Sequence, residues 1–240
     1  MHFISKRSPH FPKAFDSIVE PIDSFYFEGS LDLLKENYIS VVGARKVLPW
    51  VEQWLEHELM PILGQYNIGV VSGGAIGVDQ VSHVCALRAG VPTLAVLPSG
   101  LNQKYPSHIL QVLGGSDKVA YLSEYSPDEK MRKHHFYKRN RLIAALSPVT
   151  LVIQAAEKSG TMITAKYALH QGKTIATLPS HPMDQLCAGN LKLLYEGALM
   201  IRNQKDLEAL IEQSFSSSFC ARKRKKREEV QLRGAKLPAK

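Results

Sequence analysis

Residues 68–80 read IGVVSGGAIGVDQ, and this stretch decides the fold. Its first part, Ile68–Ser72, is almost continuously apolar, which is typical of a strand buried on both faces of a parallel sheet. Three glycines follow within the next five positions as a tight turn, and Val78 then begins an amphipathic stretch. A buried strand, a glycine turn and a helix together form one βα unit of an α/β fold.

The same alternation of short apolar runs and amphipathic stretches continues along the chain. It predicts further strands at Ile39–Val42, Thr93–Leu97, Val119–Ser123, Thr150–Gln154, Thr174–Leu178 and Leu199–Ile201. It predicts helices at Trp50–Leu63, Val78–Ala89, Ser107–Leu113, Tyr137–Leu146, Thr161–His170, Leu191–Tyr195 and Lys205–Gln213. Because each parallel crossover needs a dozen or more residues, this spacing predicts a doubly wound, mostly parallel, Rossmann-like sheet.

Composition divides the chain into three segments. Residues 1–37 hold scattered prolines and aromatic residues without a sustained period, so we expect a short irregular N-terminal arm or a short helical lead-in. Residues 38–213 form the predicted Rossmann-like core domain. Residues 214–240 begin with SFSSS and continue as a run of basic residues, which we expect to be a linker and a disordered tail.

Composition and charge also limit the function. No run approaches the roughly 20 apolar residues that cross a bilayer, and the three cysteines lack CxxC spacing. We therefore expect a cytoplasmic protein with reduced thiols and no membrane span. Phe219–Lys240 contains nine Lys/Arg and two acidic residues, so it carries +7 of the net charge of +8. Such a tail can attract nucleic acid or an acidic membrane surface, or it can simply be solvated.

Two glycine-containing loops follow the first two predicted core strands, at 43–45 (GAR) and 72–79 (SGGAIGVD). Ligands of open α/β sheets bind outside the carboxyl ends of the strands, and helix N-termini there suit phosphates. These loops can form a phosphate cradle to which Arg45 adds a planar donor, or the glycines can only shape the turns. The next strand ends at 97–100 without a carboxylate, which disfavours a dinucleotide, and we expect no cofactor.

Residues 130–141, KMRKHHFYKRNR, interleave Lys and Arg with His134, His135, Phe136 and Tyr137. Cations suit a phosphate backbone and aromatic faces suit unstacked bases, so this stretch favours single-stranded nucleic acid over a duplex. The alternative is a solvated loop that leads into a helix. We expect no metal, because neighbouring histidines point apart and no carboxylate or cysteine pattern accompanies them.

Catalytic motifs are missing from the sequence. There is no GxSxG, HExxH or P-loop pattern, and Asp79, Glu124 and Glu157 form no local pair, so we expect no enzyme and no catalytic residues. Ser159 or Thr161, at the start of a predicted helix, can cap that helix, and their hydroxyls can also meet a ligand phosphate; capping alone explains them adequately.

Seven segments, in order, resemble the DprA/Smf family: VVGAR (41–45), VVSGGAIGVD (70–79), TLAVLPSGLNQKYP (93–106), LSEYSP (122–127), HHFYKRNRLIAALS (134–147), AAEKSGTMITAKYAL (155–169) and GNLKLLYEGA (189–198). The resemblance implies an extended Rossmann fold, a homodimer and sequence-tolerant binding of single-stranded DNA. It also implies protection of incoming DNA and loading of a RecA-type recombinase during natural transformation, with no membrane partner.

Carried onto matching positions, the resemblance implies a DNA-binding pocket made of Arg45, Ser72, Gly73, Gly74, Lys133, Phe136, Arg139 and Asn140. Where family members often have SGxARGID, this chain has SGGAIGVD, so Ile76 replaces a cation. Two other hypotheses remain: a nucleotide-binding sensor, and an enzyme related to the nucleotide phosphoribohydrolases. The second lacks the Thr and Glu of the PGGxGTxxE motif here.

Overall fold

The computed structural model describes residues 1–216. Its strands are β1 (His2–Ser5), β2 (Ser24–Glu28), β3 (Asn37–Gly43), β4 (Ile68–Ser72), β5 (Thr93–Val96), β6 (Val119–Ser123), β7 (Val149–Gln154), β8 (Thr174–Thr177) and β9 (Leu199–Met200). Its α-helices are α1 (Trp50–Trp54), α2 (Met60–Tyr66), α3 (Val78–Arg88), α4 (Ile109–Leu113), α5 (Lys133–Ala145), α6 (Gly160–His170), α7 (Ala188–Tyr195) and α8 (204–216). A π-helical turn, Leu55–Leu59, joins α1 to α2.

These strands form one sheet in the order β1-β2-β6-β5-β4-β3-β7-β8-β9. All pairs from β6 to β9 along this order are parallel, and β2 pairs antiparallel with both β1 and β6. After β3, strands β4, β5 and β6 are added in sequence on one side of β3. Strands β7, β8 and β9 are then added on its other side. The sheet therefore has its topological switch point at β3.

Strand β3 shows why the sequence favours a sheet that is covered on both faces. Ile39 and Val41 belong to the core on one face, and Tyr38 and Val42 to the core on the other. Successive side chains of a strand point to opposite faces, so a continuously apolar strand needs helices on both sides. Helices α1 to α3 and α8 pack on the first face, and α5, α6 and α7 pack on the second.

The predicted doubly wound, mostly parallel α/β fold is confirmed, and every predicted core strand and helix is present within a few residues of its predicted bounds. The largest displacement is at α5, which begins at Lys133 rather than at Tyr137. Its first turn is anchored because the buried ring of His135 donates from Nδ1 to the Pro98 carbonyl at 3.0 Å. Lys133 and Phe136 consequently lie on a helix instead of a loop.

The irregular arm or short helical lead-in predicted over residues 1–37 contains two short 3₁₀ helices, Lys13–Ser17 and Leu31–Lys35, but it also contains two strands that were not predicted. Strands β1 and β2 extend the sheet beyond β6, with Tyr26 opposite Ser123. Phe25 and Phe27 are fully buried, so the segment is part of the core. The stretch SFYFE does alternate between buried and half-buried positions, but three consecutive aromatic residues among prolines concealed that period.

The predicted boundary at residue 214 also needs correction. Helix α8 continues through residue 216, and Phe215 is 2% exposed against the core on the first face. An apolar side chain in the SFSSS stretch is thus a core residue, because it continues the buried side of the helix that holds Leu207 and Ile211. The predicted disordered tail lies outside the described residues.

Candidate nucleic-acid interface

A pocket of about 890 Å³ lies at the carboxyl ends of β3 and β7. This is the switch point of the sheet, where loops that leave in opposite directions open a crevice. The pocket is lined by the loop after β3, by α5 with the residues before it, by the start of α6, and by single residues of other loops: Val42, Gly43, Ala44, Arg45, Lys46, Ala75, Asp79, Tyr105, Met131, Lys133, Phe136, Tyr137, Arg139, Asn140, Ile143, Ala156, Ser159, Gly160, Thr161, Thr164 and Leu186.

Arg45 and Phe136 make the central contact of this pocket. Arg45 is exposed, and its guanidinium carbon lies 5.8 Å from the centroid of the half-buried Phe136 ring. Tyr105 meets the same ring edge-on, with centroids 5.7 Å apart and an interplanar angle of 85°. A cation held over an aromatic ring contributes about 0.5–1 kcal/mol at exposed sites. The pocket therefore presents a permanently charged donor beside an aromatic surface.

Helix α5 supplies one side of the pocket through residues of a single helical face. Lys133, Phe136 and Asn140 are spaced i, i+3, i+7 and all line the pocket. Lys133 is exposed at the first helical position, whereas Asn140 is half-buried two turns further on. The structure thus brings together four of the predicted DNA-contacting residues, with Arg45 as the fourth.

Arg139 is the fifth predicted residue that lines the pocket, but it is only 3% exposed. Its Nη1 donates to the Val96 carbonyl at 3.0 Å. Burial lowers the pKa of Arg139 to about 10, against the attraction of Asp79, so the guanidinium keeps its charge at neutral pH. Burial also raises the pKa of Asp79, which the positive charge of Arg139 opposes. Arg139 and Asp79 are therefore two buried groups of opposite charge that attract each other beneath the pocket.

Residues 72–74 of the glycine loop lie outside the pocket lining and are buried. The Ser72 hydroxyl donates to the Val41 carbonyl at 2.6 Å, and the Gly73 N–H donates to Oδ2 of Asp79 at 3.2 Å. A Cβ at Gly73 would overlap Nη1 of Arg139, so any larger residue here would displace the guanidinium. Direct DNA contact by Ser72, Gly73 and Gly74 stays a prediction. In the structure, the loop positions Asp79 beside Arg139 through the hydrogen bond from the Gly73 N–H.

The start of α6 also lines the pocket, although Ser159 and Thr161 are not among the predicted DNA-contacting residues. The Thr161 hydroxyl donates to the Gly43 carbonyl at 2.9 Å, which ties α6 to the loop after β3. Ser159 is the N-cap residue, but its side chain makes no capping hydrogen bond, and its buried Oγ has no partner among the described residues. The structure therefore shows no side-chain cap at Ser159, and the alternative, that these hydroxyls meet a ligand phosphate, stays a prediction. Their position after the carboxyl end of a strand is the sequence signal that places them at the pocket.

Several other predicted features have clear positions. Ile76, the departure from the family pattern, is 55% exposed and lies outside the pocket lining. His134 is exposed while His135 is buried, and residues 1–216 contain no group of three potential metal ligands. Over the same residues no helix combines the length and apolar character that a bilayer crossing demands. Of the pocket-lining residues within that part of the chain, only Asp79 carries a carboxylate.

Comparison with known proteins gives the family. The family model described as DNA recombination-mediator protein A matches residues 2–212. The chain belongs to this family. It is 37% identical over 196 residues to DNA processing protein DprA of Streptococcus pneumoniae. The matched region covers 78% of this chain and 66% of the relative. The chain thus spans about two thirds of that DprA protein's length.

Two solved DprA structures share the fold. The X-ray structure from Streptococcus pneumoniae has a TM-score of 0.80 and 30% identity, and the match covers 87% of this chain and 73% of the other. The structure of DNA processing protein A from Helicobacter pylori has a TM-score of 0.77 and 30% identity, covering 88% and 96%. That study describes a unique single-stranded DNA binding mode of the Helicobacter pylori protein.

Proposed function

We propose that this protein binds single-stranded DNA in the switch-point pocket and acts as a recombination mediator. The observation that carries the proposal is the meeting of exposed Arg45 and Lys133 with the accessible ring of Phe136 in one pocket. Arg and Lys neutralise backbone phosphates, and an aromatic ring stacks on a base that has no partner strand. In a duplex the bases are already stacked and paired, so the pocket favours a single strand.

The chemistry of the pocket is tolerant of base sequence. Guanidinium and ammonium groups read phosphates, and every base has a face that stacks on Phe136. The half-buried Asn140 amide adds a donor and an acceptor that can reach a sugar or a base edge. The family membership of the chain and the single-stranded DNA binding described for the Helicobacter pylori protein support the same function.

We further propose that the protein forms a homodimer in the cytoplasm, protects incoming DNA and loads a RecA-type recombinase during natural transformation. The basis for these finer roles is the resemblance of the quoted sequence motifs to DprA/Smf proteins. A mediator must hold the strand loosely enough to release it. A pocket that depends on a few exposed cations and one stacking ring suits that requirement, because its affinity falls with salt and with competing protein.

Fluorescence anisotropy of labelled oligo-dT at two salt concentrations tests the binding, with an unlabelled duplex of equal length as competitor. We expect binding that weakens as salt rises and that the duplex does not displace. Equal displacement by duplex and by single strand would refute the assignment of the pocket to single strands.

Two further assays test the mediator role and the rival hypothesis. The protein is added to RecA and to single-stranded DNA that is covered by a single-stranded DNA-binding protein. The lag before RecA-dependent ATP hydrolysis should become shorter, and an unchanged lag would contradict loading. Release of free base from a nucleoside monophosphate would instead favour the phosphoribohydrolase hypothesis. That outcome is not expected, because Asp79, the carboxylate among the pocket-lining residues of the described chain, is only 8% exposed and accepts the Gly73 N–H.

A further inference from the structure

A second depression of about 470 Å³ adjoins the switch-point pocket. It is lined by the loop that follows β5 and by residues that precede α5: Leu101, Asn102, Gln103, Lys104, Tyr105, Ser107, Lys130 and Met131. Tyr105 and Met131 line both spaces. The two depressions are therefore consecutive along the surface, with these two side chains between them.

The loop that forms the second depression is firmly held before any ligand arrives. Its backbone N–H groups at Gly100 and Asn102 donate to the carbonyls of Glu129 and Pro127, each at 2.8 Å. The Tyr105 N–H donates to Oγ of Ser99 at 3.1 Å. These bonds join the loop after β5 to the segment that leads into α5. A ligand that enters here meets a preformed surface and loses little affinity to ordering the protein.

Lys130 is the cation of this depression that is available to a ligand. Lys104 is not available, because its Nζ donates to Glu28 at 2.9 Å and to the Leu101 carbonyl at 2.8 Å, with the side chain 8% exposed. Lys130 is exposed and has no ion pair or hydrogen bond to other described residues. The neighbouring carboxylate of Glu129 lies 3.6 Å from Nε2 of His135. Lys130 thus presents an exposed ammonium group, without an ion pair or hydrogen bond to the described residues, at the far side of Tyr105 and Met131.

The side chains between the depressions suit a strand that continues from one to the other. Tyr105 is 42% exposed while its ring contacts Phe136, so part of the ring remains accessible beyond the first pocket. Met131 adds a flexible apolar surface that packs well against aromatic rings. An aromatic ring, an apolar side chain and a lysine together offer a surface for a base and a cation for a phosphate, the same two features that Phe136 and Arg45 combine in the first pocket.

We propose that the second depression is an additional nucleotide subsite, in which a single strand leaving the Phe136 pocket crosses Tyr105 and Met131 and places its next phosphate at Lys130. The proposal rests on the proposed binding of single-stranded DNA. It adds a direction for the strand, from the switch point toward the β5 loop, and it assigns a phosphate contact to a residue outside the first pocket.

Competition by a ladder of unlabelled oligo-dT, from about 2 to about 16 nucleotides, tests this subsite. For the unaltered protein we expect affinity to rise with length until both depressions are filled. Lys130→Ala should leave the affinity of the shortest binding oligonucleotides unchanged and weaken that of longer ones about three- to tenfold. It should also reduce the slope of log K against log salt by about 0.7 for the longer oligonucleotides only.

Two matched variants complete the test. Lys130→Arg should restore the binding of the longer oligonucleotides, because a cation is kept. Lys35→Ala, which removes an exposed lysine before the opposite end of β3, should change no affinity. Loss by Lys130→Ala that is equal at every length, or absent at every length, would overturn the subsite while single-strand binding itself still stands. An unaltered protein that binds no oligo-dT of any length would overturn the proposed function as well.

Discussion

Replacement of Arg139 with methionine removes one half of the buried pair beneath the pocket. Methionine is similar in length but carries no charge, so Asp79 is left in the interior without its counter-charge. The variant also loses the charged hydrogen bond from Nη1 to the Val96 carbonyl, a kind of bond that contributes about 1.5–3 kcal/mol. Removing one partner of a buried ion pair in contact costs about 3–5 kcal/mol, which is the upper limit here because Asp79 and Arg139 attract each other without forming an ion pair within 4.0 Å. We expect this loss in the free energy of unfolding at neutral pH. The free energy of unfolding of a typical protein is about 5–15 kcal/mol.

The size of the loss should depend on pH, because Asp79 can relieve its burial by taking up a proton. Burial already raises the pKa of Asp79, and Arg139 opposes that rise. Without Arg139 the folded-state pKa rises further above the unfolded value. A group whose pKa is raised in the folded state stabilises the fold by binding a proton. This stabilisation is complete below the unfolded-state pKa of about 4, and it is lost as pH rises through the folded-state pKa. The difference between the unaltered protein and Arg139→Met should therefore widen from acid to neutral pH.

Urea unfolding at about pH 5 and about pH 8 measures this difference. The double variant Arg139→Met with Asp79→Asn has no unpaired charge and should recover about 2 kcal/mol of the loss at the higher pH. Arg88→Met, in which the lost side chain is 53% exposed, should cost less than about 1 kcal/mol at both pH values. A loss from Arg139→Met that is the same at both pH values, with no recovery in the double variant, would refute the coupling of the two residues.

Three further predictions concern DNA binding and the corrected N-terminal segment. Arg45→Ala, Lys133→Ala and Phe136→Ala should each weaken oligo-dT binding by about 1–3 kcal/mol in anisotropy titrations without changing the urea midpoint; if all three bind like the unaltered protein, the pocket is misassigned. Phe25→Ala should reduce the free energy of unfolding by about 3–5 kcal/mol, since its ring is fully buried, whereas a loss under about 1 kcal/mol would contradict the integration of β2 into the core. Deletion of Phe219–Lys240 should reduce the salt dependence of binding, and an unchanged salt slope would mean that the basic tail contributes no DNA contacts.

The sequence was sufficient for the parallel core because each core strand is apolar on both faces. Ile39–Val42 and Ile68–Ser72 allow few other structures, since such runs must be covered by helices on two sides. It was insufficient for β2, where the alternation is carried by five residues only. Short strands gain their stability from a partner strand, and nothing local in the first 37 residues indicates that this partner is β6.

The site was predictable as a set of loops but not as a set of contacts. The spacing of Lys133, Phe136 and Asn140 places them on one helical face once α5 is known to begin at Lys133. Burial of Arg139 could not be anticipated, because it depends on Asp79, which lies sixty positions earlier in the sequence. The sequence does not show that a side chain at position 73 would overlap the guanidinium of Arg139, because that contact joins residues far apart in the chain.

The pairing of β2 with β6 bears on how the chain is made. Synthesis proceeds from the N-terminus, so Tyr26 leaves the ribosome about 100 residues before its partner Ser123 does. Until then the paired strands β1 and β2 have no sheet to join, and their buried side chains lack most of the core that covers them in the folded protein. Strands β1 and β2 therefore cannot join the sheet until β6 has been synthesised, which makes their docking a late and non-local step of folding.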